Sequence, residues 1–141
     1  MITFTPLKIE DLPFLLEIRN NPSTRENLED NREFSLEECE SWFRLTKPAW
    51  FLVKNQEDKK VGYFRVKGSD IGCDIHPEHR RKGYAKQAFR EYLKKVDYAT
   101  LWVFEDNFAK ALYESLGFRK SGETKLVRGK NYVKMIYVFL V

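Results

Sequence analysis

Apolar positions recur along this chain in two rhythms. Over "AWFLVK" (49–54), "VGYFRV" (61–66) and "DIGCDI" (70–75) they form short runs separated by "NQEDKK" and "KGSD". That pattern predicts three strands joined by turns into an antiparallel meander. From Gly83 onward Ala85, Ala88, Phe89, Tyr92, Leu93 and Val96 recur at helical spacing, which predicts an amphipathic helix. "ATLWVF" (99–104) reads as the next strand, and a strand–helix–strand unit of this kind needs a parallel pair.

The remaining elements flank this centre. "MITFTPL" reads as a first strand. Asp11 is placed to cap a helix with Pro13 in its first turn and Leu15, Leu16 and Ile18 within it. Asn20-Asn21-Pro22 ends that helix and leaves a polar, irregular segment. Ser35 and Glu38 make a capping box for a second helix with Leu36, Cys39 and Phe43 on one face. Asn107 is placed to cap a short helix that buries Phe108, Leu112 and Leu116 and stops at Gly117. "TKLVR", a turn at Gly129-Lys130-Asn131 and "YVKMIYVFLV" predict a closing hairpin, its last strand apolar on both faces and therefore interior to the sheet. The predicted order is β-α-α-β-β-β-α-β-α-β-β, an α+β fold in one domain over 1–141.

Composition narrows the class. Hydrophobic residues make up 43% of the 141 and aromatics 15%, enough for a packed core. The net charge of +4 permits an anionic ligand without demanding nucleic acid. Two cysteines with no metal-like spacing fit a reducing cytoplasm. The N-terminus lacks the layout of a signal peptide, and the longest apolar run, "MIYVFLV", is too short to span a bilayer.

The chemistry concentrates at "HPEHRRKGYAKQAF" (76–89), where Arg80, Arg81 and Lys82 precede the predicted helix. A helix N-terminus already offers unpaired N–H groups and a partial positive charge, so cations there oppose the dipole unless an anion sits on top. Gly83 would let a phosphate approach the backbone, and the small Ala85 would keep the helix close. A solvated basic face and an RNA-phosphate patch are the other readings of the same residues. The pattern is neither GxxxxGK[ST] nor GxGxxG. His76 and His79 read as loop histidines, with no zinc spacing around them.

Arg80-x-x-Gly83-x-Ala85 resembles the (R/Q)xxGx(G/A) acyl-CoA motif of the GNAT superfamily of N-acetyltransferases. "DIGCDIHPEHRRKGYAKQAF" and "LWVFEDNFAKALYESLGF" are similar to two segments of its ribosomal-protein and amino-sugar branches. The resemblance implies a mixed sheet with two splayed parallel strands and acetyl-CoA in the opening. Backbone groups of Cys73, Asp74 and Ile75 would pair with the pantetheine, and the N–H groups of Arg81, Lys82, Gly83, Tyr84 and Ala85 would hold the pyrophosphate beside Arg80. Asn107 would bind the pantetheine arm. Arg81 departs from the usual glycine and must point outward.

The resemblance further implies that Tyr113 is the general acid; as a bare pattern it is an amphipathic tyrosine at a core margin. A glutamate is frequent five residues before the asparagine, but Trp102 stands there, so Asp74, Glu105 or a water relay is left as the base. The segment "EIRNNPSTRENLEDNREF" (17–34) would select the acceptor, with Arg19, Asn20 and Arg25 as candidates to grip it. Trp50, Tyr63 and Phe64 would line that pocket or the core. The alternation of Cys73 with Ile71 and Ile75 predicts burial and argues against a covalent cysteine relay.

The expected function is direct acetyl transfer from acetyl-CoA to a primary amine, in a small molecule such as an amino sugar or at a protein N-terminus. The expected partners are acetyl-CoA and that amine, without membrane or nucleic acid, and a homodimer is left open. A non-catalytic acyl-CoA-binding domain and a small basic RNA-binding module are the alternatives.

Overall fold

A computed structural model of the chain describes residues 1–139 and places seven strands in one sheet, in the order β1-β2-β3-β4-β5-β7-β6. The strands are β1 (Thr3–Pro6), β2 (Phe51–Lys54), β3 (Lys60–Lys67), β4 (Asp70–Ile75), β5 (Tyr98–Phe104), β6 (Arg119–Val127) and β7 (Lys130–Val138). The helices are α1 (Leu12–Arg19), α2 (Pro22–Arg25), α3 (Leu36–Thr46), α4 (Tyr84–Leu93) and α5 (Ala109–Ser115). This is the mixed α/β architecture that the sequence predicts.

Strand alternation divides the side chains between two cores. Phe64, Ile71, Ala99, Leu101, Val103, Val133 and Met135 pack with Ala88, Phe89 and Leu93 of α4. On the opposite face Tyr63 packs with Leu12, Leu15 and Ile18 of α1 and Cys39 of α3. The Ser35–Glu38 box forms as predicted: Glu38 N donates to Ser35 Oγ at 3.1 Å, and Ser35 N to Glu38 Oε1 at 3.0 Å.

Among the described residues every strand contact is antiparallel except β4 with β5, and that pair meets only at its base, where Asp70 stands opposite Thr100. Thr100 N donates to Ser69 O at 2.8 Å and its hydroxyl to Asp70 Oδ1 at 3.2 Å. Beyond this point β4 stays with β3 and β5 stays with β7 over their lengths, so the two parallel strands splay. Among the described residues the facing backbone groups of β4 between them lack a strand partner, and an extended ligand can supply one.

Several predicted details differ. Pro22–Arg25 is a short helix, because Asn21 caps it (Ser23 N to Oδ1, 3.0 Å) and Pro22 takes the first helical position. Asp11 precedes α1 without capping it; its carboxylate accepts from Lys8 N and pairs with Lys60 Nζ at 3.0 Å. Phe108 is 97% exposed and Leu36 is also exposed, so neither is core. Strand β6 begins at Arg119, before a register shift between Lys120 and Thr124. The closing turn is the two-residue Arg128-Gly129, both at positive φ, as tight hairpins require. Leu140 and Val141 of the predicted last strand lie outside the described residues.

Candidate active site

A cleft of about 500 Å³ opens between β4 and α5. It is lined by Cys73, Asp74 and Ile75 of β4, by Arg80, Arg81, Gly83, Tyr84 and Ala85, and by Asn107 and Tyr113. Most of the residues singled out in the sequence therefore meet in one concavity. Lys82, on the exposed turn, and Glu105 do not line it.

The floor of the cleft offers free backbone donors at the start of α4. Arg81 and Gly83 both adopt the left-handed conformation, at φ 62° and 81°. That bend turns the 80–83 segment into the first turn of α4. Among the described residues the N–H groups of Arg81, Lys82 and Gly83 have no hydrogen-bond partner. A Cβ at Gly83 would meet only Gln87 Nε2, at 3.8 Å, so the approach is open. Successive free N–H groups ahead of a ten-residue helix suit a pyrophosphate.

The Arg80 side chain is engaged elsewhere. Its Nε donates to Ile75 O at 3.0 Å, Nη1 to Ser23 Oγ at 2.6 Å and Nη2 to Thr24 Oγ1 at 2.8 Å. It fastens α2 to the end of β4, and Ser23, Thr24 and Asn27 complete the rim of the cleft. The sequence reading missed those three, since nothing local in the chain ties α2 to this loop.

Tyr113 stands edge-on to Phe89, ring centroids 5.3 Å apart, and to Phe118 at 6.1 Å. Burial pushes its phenol well above the ordinary tyrosine value, so it is protonated at neutral pH. Cys73 packs against the α4 core, and burial pushes its thiol up as well, so it holds no thiolate for a covalent relay. Asn107 Oδ1 accepts from Ala109 N at 2.9 Å at the start of α5, while Nδ2 reaches Asn27 Oδ1 at 3.3 Å.

The two carboxylates differ in surroundings. Glu105 Oε1 binds Lys120 Nζ at 2.6 Å and Lys110 Nζ at 2.9 Å, and hydrogen bonds from these lysines hold it below the usual range. Asp74 Oδ2 lies 3.1 Å from Arg65 Nε, its side chain largely buried. Trp102 stacks on Tyr132 at 5.6 Å, with Lys125 Nζ 4.4 Å above the indole ring.

Arg19, Asn20 and Arg25 lie outside the cleft and hold the 26–34 segment in place. Arg19 Nη1 donates to Arg32 O and Nη2 to Asp30 O. Asn20 binds both backbone groups of Phe34, at 2.8 and 2.9 Å. Arg25 reaches Asn20 O, Asn31 O and the Glu33 carboxylate. Arg128 clamps the same segment from β7's side, donating to Leu28 O and Glu29 O.

A splayed parallel pair, a loop with free N–H groups and a tyrosine lining the same cleft suit an acyl-CoA. The sequence profile of the acetyltransferase (GNAT) domain matches residues 23–139, and the chain belongs to that family. Its enzymes are N-acetyltransferases with acetyl-CoA as acyl donor. The fold is similar to that of a spermidine N-acetyltransferase from Vibrio cholerae in complex with CoA and spermine, with a TM-score of 0.87 and 21% identity over 97% of this chain and 95% of that one. It is also similar to a ribosomal-protein-alanine N-acetyltransferase from Brucella melitensis (TM-score 0.75, 20% identity, 97% and 99% covered). A GNAT-family acetyltransferase from Bacillus anthracis gives a TM-score of 0.78 at 17% identity, covering 97% and 94%. No curated protein matches the sequence. Among the described residues no helix is long and apolar enough to cross a membrane.

Proposed function

We propose that the chain, acting as one domain in the cytoplasm, transfers acetyl from acetyl-CoA directly to a primary amine in a ternary complex. The observation that carries this reading is the single cleft that gathers the free edge of β4, the 80–85 loop, Asn107 and Tyr113. The edge of β4 from Cys73 to Ile75 pairs with the pantetheine, with Ile75 O shared with Arg80. The N–H groups of Arg81 to Ala85 bind the pyrophosphate, and Asn107 orients the arm.

In the transfer, the amine nitrogen bonds to the acetyl carbon as the carbon–sulfur bond breaks. Tyr113 gives its proton to the departing thiolate and is reprotonated from solvent. The thiolate of a thiol of pKa about 8.5 is a weaker base than the buried phenolate, so this proton transfer runs uphill, and reprotonation of Tyr113 from solvent completes it. The amine loses its proton to water, since Glu105 is held by two lysines and Asp74 faces Arg65. The raised Cys73 thiol favours this direct route over an acetyl-cysteine.

The test has two arms. Calorimetry of acetyl-CoA on the wild type and on Gly83→Glu should give binding that the mutant loses, because the new carboxylate occupies the pyrophosphate position. Tyr113→Phe should keep that affinity and lose turnover about 10²-fold or more. A Tyr113→Phe enzyme of undiminished turnover would remove the acid assignment.

A further inference from the structure

The face of the sheet opposite α4 holds a side chain that the transfer chemistry above leaves unused. Arg65 leaves β3 and lays its guanidinium across Gly72 of β4, in the direction of the opening beside β5. A Cβ on Gly72 would overlap Arg65 Cζ and Nη2, so this position depends on the glycine. The Arg65 side chain is only 33% exposed. Nε and Asp74 Oδ2 are in ion-pair range at 3.1 Å but are not aligned as a hydrogen bond, and among the described residues the buried Tyr63 hydroxyl likewise lacks a partner. Among the described residues Arg65 Nε is therefore buried without a hydrogen-bond partner, and the partly exposed fork keeps donors for a ligand. Buried donors left unmade are costly, and a planar fork of them matches a carboxylate or phosphate.

Strand alternation puts Cys73 and Asp74 on opposite faces of β4, and both line the cleft. An acyl group seated in it is thus reached from the side where Asp74 and Arg65 stand. Arg19 contributes a second positive charge on this face, felt by both Arg65 and Asp74. Two cations around one carboxylate make a poor site for a polycation. They also disfavour the protonated form of an incoming amine, which eases its deprotonation without a dedicated base.

Resting on the acetyltransferase reading, we propose that Arg65 is a specificity-determining residue of the acceptor site. The acceptor is a primary amine with an anionic group a few bonds from the nitrogen, its anion held in the Arg65 fork. A free α-amino acid has this chemistry through its carboxylate, and an aminoalkyl phosphonate or amino-sugar phosphate through its phosphorus oxygens.

The experiment is CoA release at saturating acetyl-CoA, with calorimetric acetyl-CoA affinity measured on each protein. The acceptors are the twenty L-amino acids, their carboxamides, 2-aminoethylphosphonate, glucosamine with and without a 6-phosphate, and spermidine. The expected result is a kcat/KM for one anionic acceptor about 10²-fold or more above its uncharged counterpart. Arg65→Gln should erase that ratio and leave acetyl-CoA affinity within about twofold. A carboxamide or spermidine as the best acceptor, turnover of no anionic amine, or a ratio that survives Arg65→Gln overturns the proposal while the transferase reading stands. A wild type that binds no acetyl-CoA overturns both. Should Arg65→Gln fail to fold, the wild-type ratio decides.

Discussion

Arg80 Nη2 donates to Thr24 Oγ1 at 2.8 Å, joining the turn before α4 to a helix fifty-six residues earlier in the chain. With the bonds to Ser23 Oγ and Ile75 O, this makes Arg80 a rivet for α2. Its charge is not needed at the phosphate for that role. Arg80→Gln should lower stability by about 2–3 kcal/mol, from three partly buried bonds, at least one of them charge-assisted. The slope of acetyl-CoA affinity against salt should stay the same. A slope reduced by about one charge would instead place the guanidinium on the phosphates.

Gly72 and Arg65 form a second long-range dependence. Placing a methyl group where the guanidinium lies forces the side chain off its path over β4. Gly72→Ala should therefore cost about 1–3 kcal/mol in the wild type. In an Arg65→Ala background the obstruction is gone, and the same change should cost less than about 0.5 kcal/mol. A double-mutant cycle by urea unfolding reads this coupling, and additive effects would contradict the packing.

These two contacts also mark how far the sequence was legible. The helix from Gly83 and the strands around it follow from period alone, since Ala88, Phe89 and Leu93 or Phe64 and Ile71 can face only one core. Most residues from Cys73 through Ala85 meet in one cleft because they are contiguous, so a local pattern carries a local geometry. Helix α2 was missed because Asn21 and Pro22 read as breakers; the same two residues start a helix when cap and first position coincide. Phe108 fits a core position by its spacing, yet it precedes the first turn of α5 and points out. Arg65 left only a weak sign, a charged residue inside an apolar strand. Its partners lie on β4, and pairing register is not written in either strand alone.

Asn20 imitates a backbone unit. Its Nδ2 donates to Phe34 O at 2.8 Å, and its Oδ1 accepts from Phe34 N at 2.9 Å, which closes the 21–34 excursion between α1 and α3. Asn20→Asp removes the donor and sets a carboxylate against a carbonyl. The expected loss is about 1–3 kcal/mol, with faster amide exchange at Phe34. Unchanged exchange at Phe34 would mean that the arginine contacts alone hold the segment.

Tyr132 gives the protein a dependence on alkaline pH. Its ring lies 4.7 Å from Phe104 and 5.6 Å from Trp102, 7% exposed, and burial pushes its phenol up to about 12. Up to about pH 10 both folded and unfolded chains keep this proton, and Tyr132 adds no pH dependence. Above that the unfolded chain releases it while the folded chain retains it, so unfolding gains and stability falls until the folded phenol also titrates. At pH 11 the loss from this group is about 1 kcal/mol. Urea unfolding of wild type and Tyr132→Phe at pH 8 and pH 11 isolates it, because the lysines titrate in both proteins. The variant should lose about 1 kcal/mol less than the wild type between the two pH values. Equal losses would mean that the Tyr132 hydroxyl reaches water in the folded protein.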